Sequence, residues 1–243
     1  MGQVFSRVLL KLSGKVCGDN GIDVKRIGHL AKLLIRVLEN KSTSLAIVLG
    51  GGNIIRGRNF PSEDKYDRVP IDQMGMLGTL INGLALQREL EANGVEVRVM
   101  SSLRVDEVAE FYKVRVARSH LDKGRVVILA CGLGIPFCST DYATVERAIE
   151  VRAEIVLKGT NIDGVYDGDP SRDSNAKFLS FVSYERYLQD QYNVMDFAAI
   201  KLAKDQGMPI RIFDFFKEGN LEKVLAGEEV GSLIYFSQES VLR

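Results

Sequence analysis

The chain has 243 residues, with 32 Lys+Arg against 32 Asp+Glu, 46% hydrophobic and 26% charged. That length suits one large α/β domain or two small ones, and it buries a core without covalent staples. Zero formal net charge excludes the basic excess of a general nucleic-acid binder and a polybasic membrane anchor, so neither nucleic acid nor membrane is an expected partner. Cys17, Cys131 and Cys138 form no CxxC pair, and His29 and His120 stand alone. This pattern fits a reducing, cytoplasmic setting better than a disulfide framework or a structural zinc site.

Short apolar runs alternate with helical spacing along the chain. Strands are predicted at Val8–Leu12, Leu45–Leu49, Val95–Met100, Val126–Ala130, Ile155–Lys158, Ile210–Phe213 and Leu233–Phe236. Several are almost wholly apolar, as strands covered on both faces must be. Asp23 can cap a helix running to about Glu39, with Ile27, Leu30, Leu34 and Leu38 on one face. Pro70 suits the first turn of a second helix ending near Asn93, Asp141 can cap a third, and Met195–Gln206 reads as a fourth. The alternation predicts an α/β fold, a three-layer αβα sandwich around a mainly parallel central sheet. Open parallel sheets bind ligands at the carboxyl ends of their strands.

Four stretches there carry chemistry. Lys11-Leu12-Ser13-Gly14 follows the first strand, offering an ammonium and backbone amides to a phosphate. Gly50-Gly51-Gly52-Asn53 follows the second, with Arg56 close behind. Three successive glycines let backbone amides approach an anion, and Arg56 adds a fork of donors. The spacing is neither a Walker A loop nor a dinucleotide fingerprint. CGLGIPFCSTD, from Cys131 to Asp141, and KGTNIDGVYDGDP, from Lys158 to Pro170, follow two further strands. Phosphate-friendly loops in both halves suggest two phosphorylated ligands face to face. Phosphoryl transfer asks the protein mainly for alignment and charge neutralisation.

At these residues the chain resembles the bacterial UMP kinase (uridylate kinase) family of the amino-acid-kinase superfamily. The resemblance rests on KLSG at Lys11, GGGNIIRG at Gly50, DQMGMLGTLINGLAL from Asp72, PFCSTD from Pro136, TNIDGVYDGDP from Thr160 and VMDFAAIKLAKDQGMPIRIF from Val194. It implies a single amino-acid-kinase-like domain over 1–243, with an acceptor half to about residue 150 and a donor half from about 151. It further implies transfer of the ATP γ-phosphate to UMP, with Mg²⁺, for pyrimidine nucleotide synthesis, in a homohexamer inhibited by UTP. Carried over, Lys11, Leu12, Ser13, Gly14, Gly52 and Arg56 would meet the ATP phosphates, and Thr160, Tyr166 and Asp169 the adenosine. Gly51, Asp72 and the loop Leu133, Gly134, Ile135, Pro136, Phe137, Cys138, Ser139 and Thr140 would hold UMP, with Asp72 on its ribose. Asp141 would orient the cationic groups. Lys158, assigned by its strand-end position, would neutralise the migrating phosphoryl group. Asp196 is read as structural, with a Mg²⁺-related role as the alternative.

Leu133, Ile135 and Cys138 depart from the family's usual GTGNPFFTTD: Leu133 and Ile135 replace a hydroxyl and an amide, which removes side-chain hydrogen bonders from the uridine loop, and Cys138 replaces an aromatic. The stretch after KLSG is shorter than the insert associated with GTP activation, so that property is not carried over. Two alternatives stay open: another small-molecule kinase of the superfamily, and a non-catalytic nucleotide or oxyanion binder of the same fold.

Overall fold

A computed structural model describes residues 5–39, 43–55, 60, 67–168, 170, 172–173 and 175–236. In chain order its strands are β1 (Arg7–Leu12), β2 (Ser44–Leu49), β3 (Val97–Ser101), β4 (Glu110–Phe111), β5 (Val126–Ala130), β6 (Ile155–Thr160), β7 (Val165–Tyr166), β8 (Phe178–Leu179), β9 (Phe181–Ser183), β10 (Ile210–Asp214) and β11 (Ser232–Tyr235). The helices are α1 (Val24–Leu38), α2 (Arg68–Ala92), α3 (Val114–Asp122), α4 (Thr140–Val151), α5 (Tyr184–Gln189), α6 (Phe197–Gln206) and α7 (Asn220–Leu225), with a 3₁₀ turn at Gly14–Cys17.

Among the described residues, nine strands form one sheet in the order β4-β3-β5-β2-β1-β6-β10-β11-β9. Only the β10–β11 pairing in it is antiparallel. Alternation along each strand feeds two cores. Val8, Leu10 and Leu12 join the side chains of α1, α2 and α7. Leu9, between them, points to the other face, where α3, α4, α5 and α6 pack. Leu9 and Leu10 are both fully buried, and each such side chain contributes about 2 kcal/mol by leaving water. The predicted three-layer αβα sandwich is therefore the fold.

Local capping chemistry fixes where the helices begin. Asp23 accepts from the amides of Lys25 and Arg26 and starts α1, as its position in the sequence predicts. Asp67 caps α2, which puts Pro70 at the third helical position, within the first turn as expected. The cap of α4 is Ser139, not Asp141; Ser139 Oγ accepts from the Tyr142 amide at 2.9 Å. Asp141 is thereby freed to point elsewhere from the first turn. Asp196 caps α6, accepting from the Ala199 amide at 2.8 Å, so that helix starts after Met195. The sequence periodicity misses α3, α5 and α7, and the two- and three-residue strands: α5, α7 and these strands are too short to repeat a period, and α3 buries only Ala117 and Leu121.

The sheet order decides where the chemistry gathers. β5, β2, β1 and β6 are neighbours, so the four chemistry-bearing stretches leave the sheet side by side, at the same edge.

Candidate active site

Three charged side chains meet above these strand ends. Lys11 lies at the end of β1 and Lys158 directly opposite it in register on β6. Asp141, in the first turn of α4, reaches both. Its Oδ1 is 2.8 Å from Lys11 Nζ, and its Oδ2 accepts a hydrogen bond from Lys158 Nζ at 2.5 Å. The Lys158 side chain is 8% exposed and that of Asp141 15%. Burial alone would raise the Asp141 carboxyl, but the two ammonium groups outweigh it and hold the group down at about 2. Burial lowers Lys158 to about 8, with Lys11 adding repulsion and Asp141 opposing both. The cluster carries one net positive charge at neutral pH.

Two cavities open beside this cluster. One, about 340 Å³, is lined by Lys11, Ser13, Gly14, Lys15, Gly50, Gly51, Gly52 and Thr140. The other, about 300 Å³, runs under α2 between Gly51, Gly52, Asp72, Gly75, Thr79 and the loop residues Gly132, Ile135, Phe137, Cys138, Ser139 and Thr140. Gly51, Gly52 and Thr140 are common to both. A third cavity, about 430 Å³, lies beyond Asp141 against Ser139, Met195, Asp196 and Phe197.

The glycine loop is pressed against α2. A Cβ on Gly51 would stand 2.4 Å from the Gly75 carbonyl oxygen, and one on Gly14 would stand 2.4 Å from Asn53 Oδ1. Asn53 and Asn82, both buried, exchange amide hydrogen bonds at 2.9 and 2.7 Å. Asn82 Nδ2 also donates to the Gly50 carbonyl at 2.7 Å. Thr79, one turn earlier on α2, accepts from the Cys131 amide at 2.7 Å. These asparagines and Thr79 escape a search for charged or nucleophilic groups. The signal for them is the three-residue Thr79–Asn82 spacing, which aligns both on the helix face toward the loop.

Asp72 Oδ2 accepts from the Phe137 amide at 2.8 Å and lies 3.3 Å from Arg68 Nε. The Arg68 guanidinium covers the Phe137 ring at 5.0 Å. Phe137 has φ +66, a left-handed conformation costly to a residue with a Cβ.

The structure thus gathers Lys11, Ser13, Gly14, Gly51, Gly52, Asp72, Ile135, Phe137, Cys138, Ser139, Thr140, Asp141 and Lys158 about one edge. Leu133, Gly134 and Pro136 belong to the same loop but do not line the cavity under α2. The Leu12 side chain is fully buried in the core; only its backbone reaches the site, its carbonyl accepting from Gly50 at 2.9 Å. Thr160 and Tyr166 do not line the cavity beside Lys11. Tyr166 instead donates to Asp163 at 2.9 Å and meets Phe178 edge-on, with centroids 5.7 Å apart. Arg56 and Asp169 lie outside the described residues. Asp196 accepts from the Ala199 amide of α6 and from Ser139 Oγ.

Residues 6–214 match the amino acid kinase family. A protein of Wolinella succinogenes named uridylate kinase is 47% identical over 226 residues, covering 92% of this chain and 93% of its own. The crystal structure of a UMP kinase from Bacillus anthracis superposes with a TM-score of 0.91 at 38% identity, over 96% of this chain and 97% of that one. Another, of a UMP kinase from Ureaplasma parvum, gives a TM-score of 0.88 at 32% identity, over 95% and 98%. Family match, identity and fold agree over nearly the whole length: this chain belongs to the uridylate kinases of the amino acid kinase family.

Proposed function

We propose that this chain is a UMP kinase, transferring the γ-phosphate of ATP to UMP to give UDP and ADP. The observation that carries the reading is the shared wall. Two cavities of nucleotide-phosphate size meet at Gly51, Gly52 and Thr140, with a net-cationic cluster alongside. Phosphoryl transfer needs donor and acceptor held in line and the equatorial charge neutralised.

In this reading ATP phosphates occupy the cavity beside Lys11, Ser13, Gly14 and Gly52, and UMP the cavity under α2. A UMP phosphate oxygen, already ionised, attacks the γ-phosphorus as the bond to the ADP oxygen breaks, and no general base is required. Lys11 and Lys158 neutralise the transferring group, as cations fixed before reaction do. Asp141 holds the two ammonium groups apart from each other and at fixed positions. Asp72 accepts from the ribose hydroxyls, and the 133–140 loop encloses the base and the UMP phosphate, with Leu133 and Ile135 leaving base recognition to backbone groups. Arg56 joins the ATP phosphates, and Thr160, Tyr166 and Asp169 the adenosine.

Mg²⁺ would add positive charge to the phosphates. Both Asp141 oxygens face ammonium groups, and the described residues contain no cluster of three His, Cys, Asp or Glu suited to a metal. These donors do not fit a protein-held ion, so Mg²⁺ belongs to this reading only as a companion of ATP.

We read residues 1–243 as one domain, an acceptor half to about 150 and a donor half after it. Self-association as a homohexamer is carried over from the family; Leu77 and Ile81, 42% and 44% exposed on α2, support a subunit contact. Cys17, Cys131 and Cys138 are free thiols, in keeping with a cytoplasmic setting. No helix among the described residues is long and apolar enough to cross a membrane. UTP, sharing the uracil nucleotide of the acceptor, would compete at the acceptor cavity. An ATP-dependent phosphotransfer assay over UMP, CMP, dUMP and carbamate tests the assignment. Transfer to UMP is expected; transfer to carbamate with none to UMP overturns it.

A further inference from the structure

The loop that closes the acceptor cavity is backbone-strained. Cys131 has φ +63 and Phe137 φ +66, both non-glycine residues in the left-handed region, with Gly132 at +54 and Gly134 at +77 between them. Such conformations persist only where surrounding contacts over-determine them. One set of contacts comes from α2: Thr79 on the Cys131 amide and Asp72 on the Phe137 amide. The other comes from behind the loop, from a buried cation that the proposed phosphoryl transfer does not use.

Arg147, on α4, is 7% exposed. One arm of its guanidinium pairs with Glu150, one helical turn on. The other arm donates to Ser102 Oγ at 2.9 Å and to the Gly132 carbonyl at 3.2 Å. Ser102 Oγ in turn donates to the same Gly132 carbonyl at 2.7 Å. A Cβ on Gly134 would stand 2.9 Å from the Ser102 carbonyl oxygen, so Ser102 is the floor on which the loop turns. The guanidinium lies 3.9 Å over the Tyr112 ring, and Tyr112 OH donates to Glu150 at 2.7 Å. The fold thus takes up the cation on several sides, and toward the site it reaches Ser102 and the Gly132 carbonyl. A fully satisfied buried polar network holds one geometry, whereas a partly satisfied one does not.

We infer that Arg147, acting through Ser102 and the Gly132 carbonyl, is the positioning residue that sets the shape of the acceptor loop and hence its affinity and selectivity for the acceptor base. Arg147 does not line the acceptor cavity. It holds the loop at Gly132, which lines the acceptor cavity and not the donor one, so its effect falls first on acceptor binding; Thr140 is the loop residue that lines both. The link to acceptor affinity rests on the UMP kinase reading, while the anchoring of the loop does not.

The experiment has two readouts on the full chain, for Arg147→Lys and the milder Ser102→Ala. Amide hydrogen exchange without ligand reads the anchoring itself; amides between 132 and 138 should exchange about tenfold faster while those of β1 and β6 keep their rates. Steady-state kinetics should show KM for UMP raised about tenfold, KM for ATP within about twofold and the preference for UMP over CMP reduced. A merely structural role lowers the melting temperature without separating the two KM values. Unchanged exchange at 132–138 in both variants, or an equal rise in both KM values, overturns the inference. Should the wild type leave UMP untouched while 132–138 loosens in the variants, the UMP kinase reading fails and the anchoring stands.

Discussion

Lys158 Nζ lies 2.5 Å from Asp141 Oδ2, with both side chains almost wholly withdrawn from water. Burial brings the lysine to about 8 from an ordinary 10.5, so its charge changes within an accessible pH range. If protonated Lys158 neutralises the transferring phosphoryl, kcat should fall as pH rises through about 8. Lys158→Arg keeps its charge at all such pH values and should abolish that alkaline limb, even where it lowers the plateau. A limb that survives unchanged in Lys158→Arg removes Lys158 from the reaction. Stability runs the opposite way. Between about 8 and 10.5 the unfolded chain binds a proton that the folded one does not, so Lys158 makes the fold more stable as pH rises across that window.

Asp141 has the complementary profile. Its carboxyl, held at about 2 against an ordinary 3.8, adds stability above 3.8 that is lost as pH falls through about 2. Replacing it by Asn leaves two facing ammonium groups without a counter-charge. The expected cost is about 3 kcal/mol of folding stability, the scale for breaking a buried pair, read by urea denaturation at about pH 7. The same change should bring the Lys158 proton off at still lower pH, because the main group opposing burial is gone. A stability loss below about 1 kcal/mol would mean that the cluster is hydrated rather than buried.

How far the sequence discloses this site depends on the kind of signal. Strand runs such as Val126–Ala130 match the observed strand end to end, since a buried parallel strand is a continuous apolar word. The loops Gly50–Gly52 and Cys131–Asp141 are legible as glycine-rich strand ends. The meeting of Lys11, Asp141 and Lys158 is not legible in the spacing, and only the family resemblance implies that Asp141 orients cations, because the three converge from two parallel strands and the first turn of a helix in distant parts of the chain. The capping choice of Ser139 over Asp141 turns on a single hydrogen bond, and either residue type suits that position. Arg147 reads from sequence as one more helix-surface cation; only the packing of Tyr112 and Ser102 against α4 makes it a buried one.

The three helix glycines of α2 separate into two kinds. Gly78 and Gly83 are packing glycines: a Cβ would come within 3.2 Å of the Gly51 carbonyl oxygen and of the Ile128 side chain respectively. Around a Cβ on Gly75 there is nothing within 4 Å, yet Gly75 lines the acceptor cavity. Gly75→Ala should therefore stabilise the fold by about 0.5–1 kcal/mol through helix propensity while narrowing the cavity. The expected signature is a higher melting temperature together with a higher KM for UMP. A melting temperature that rises with no change in KM would show that the acceptor does not approach this turn of α2.

Asp72 is asked to do two things with one carboxylate. Oδ2 already accepts from the Phe137 amide and neighbours Arg68, so in this reading Oδ1 is the oxygen offered to a ribose hydroxyl. Asp72→Asn keeps the size but turns one acceptor into a donor and removes the charge. The loss of a charge-assisted bond is worth about 1.5–3 kcal/mol, which predicts KM for UMP raised by about tenfold or more with kcat changed far less. dUMP, lacking the 2′-hydroxyl, separates the two duties. If Asp72 meets the 2′-hydroxyl, the wild-type preference for UMP over dUMP should shrink in Asp72→Asn. If its only duty is to hold Phe137 in the left-handed conformation, KM for UMP and dUMP should rise by the same factor, and the ribose assignment falls while the loop contact remains.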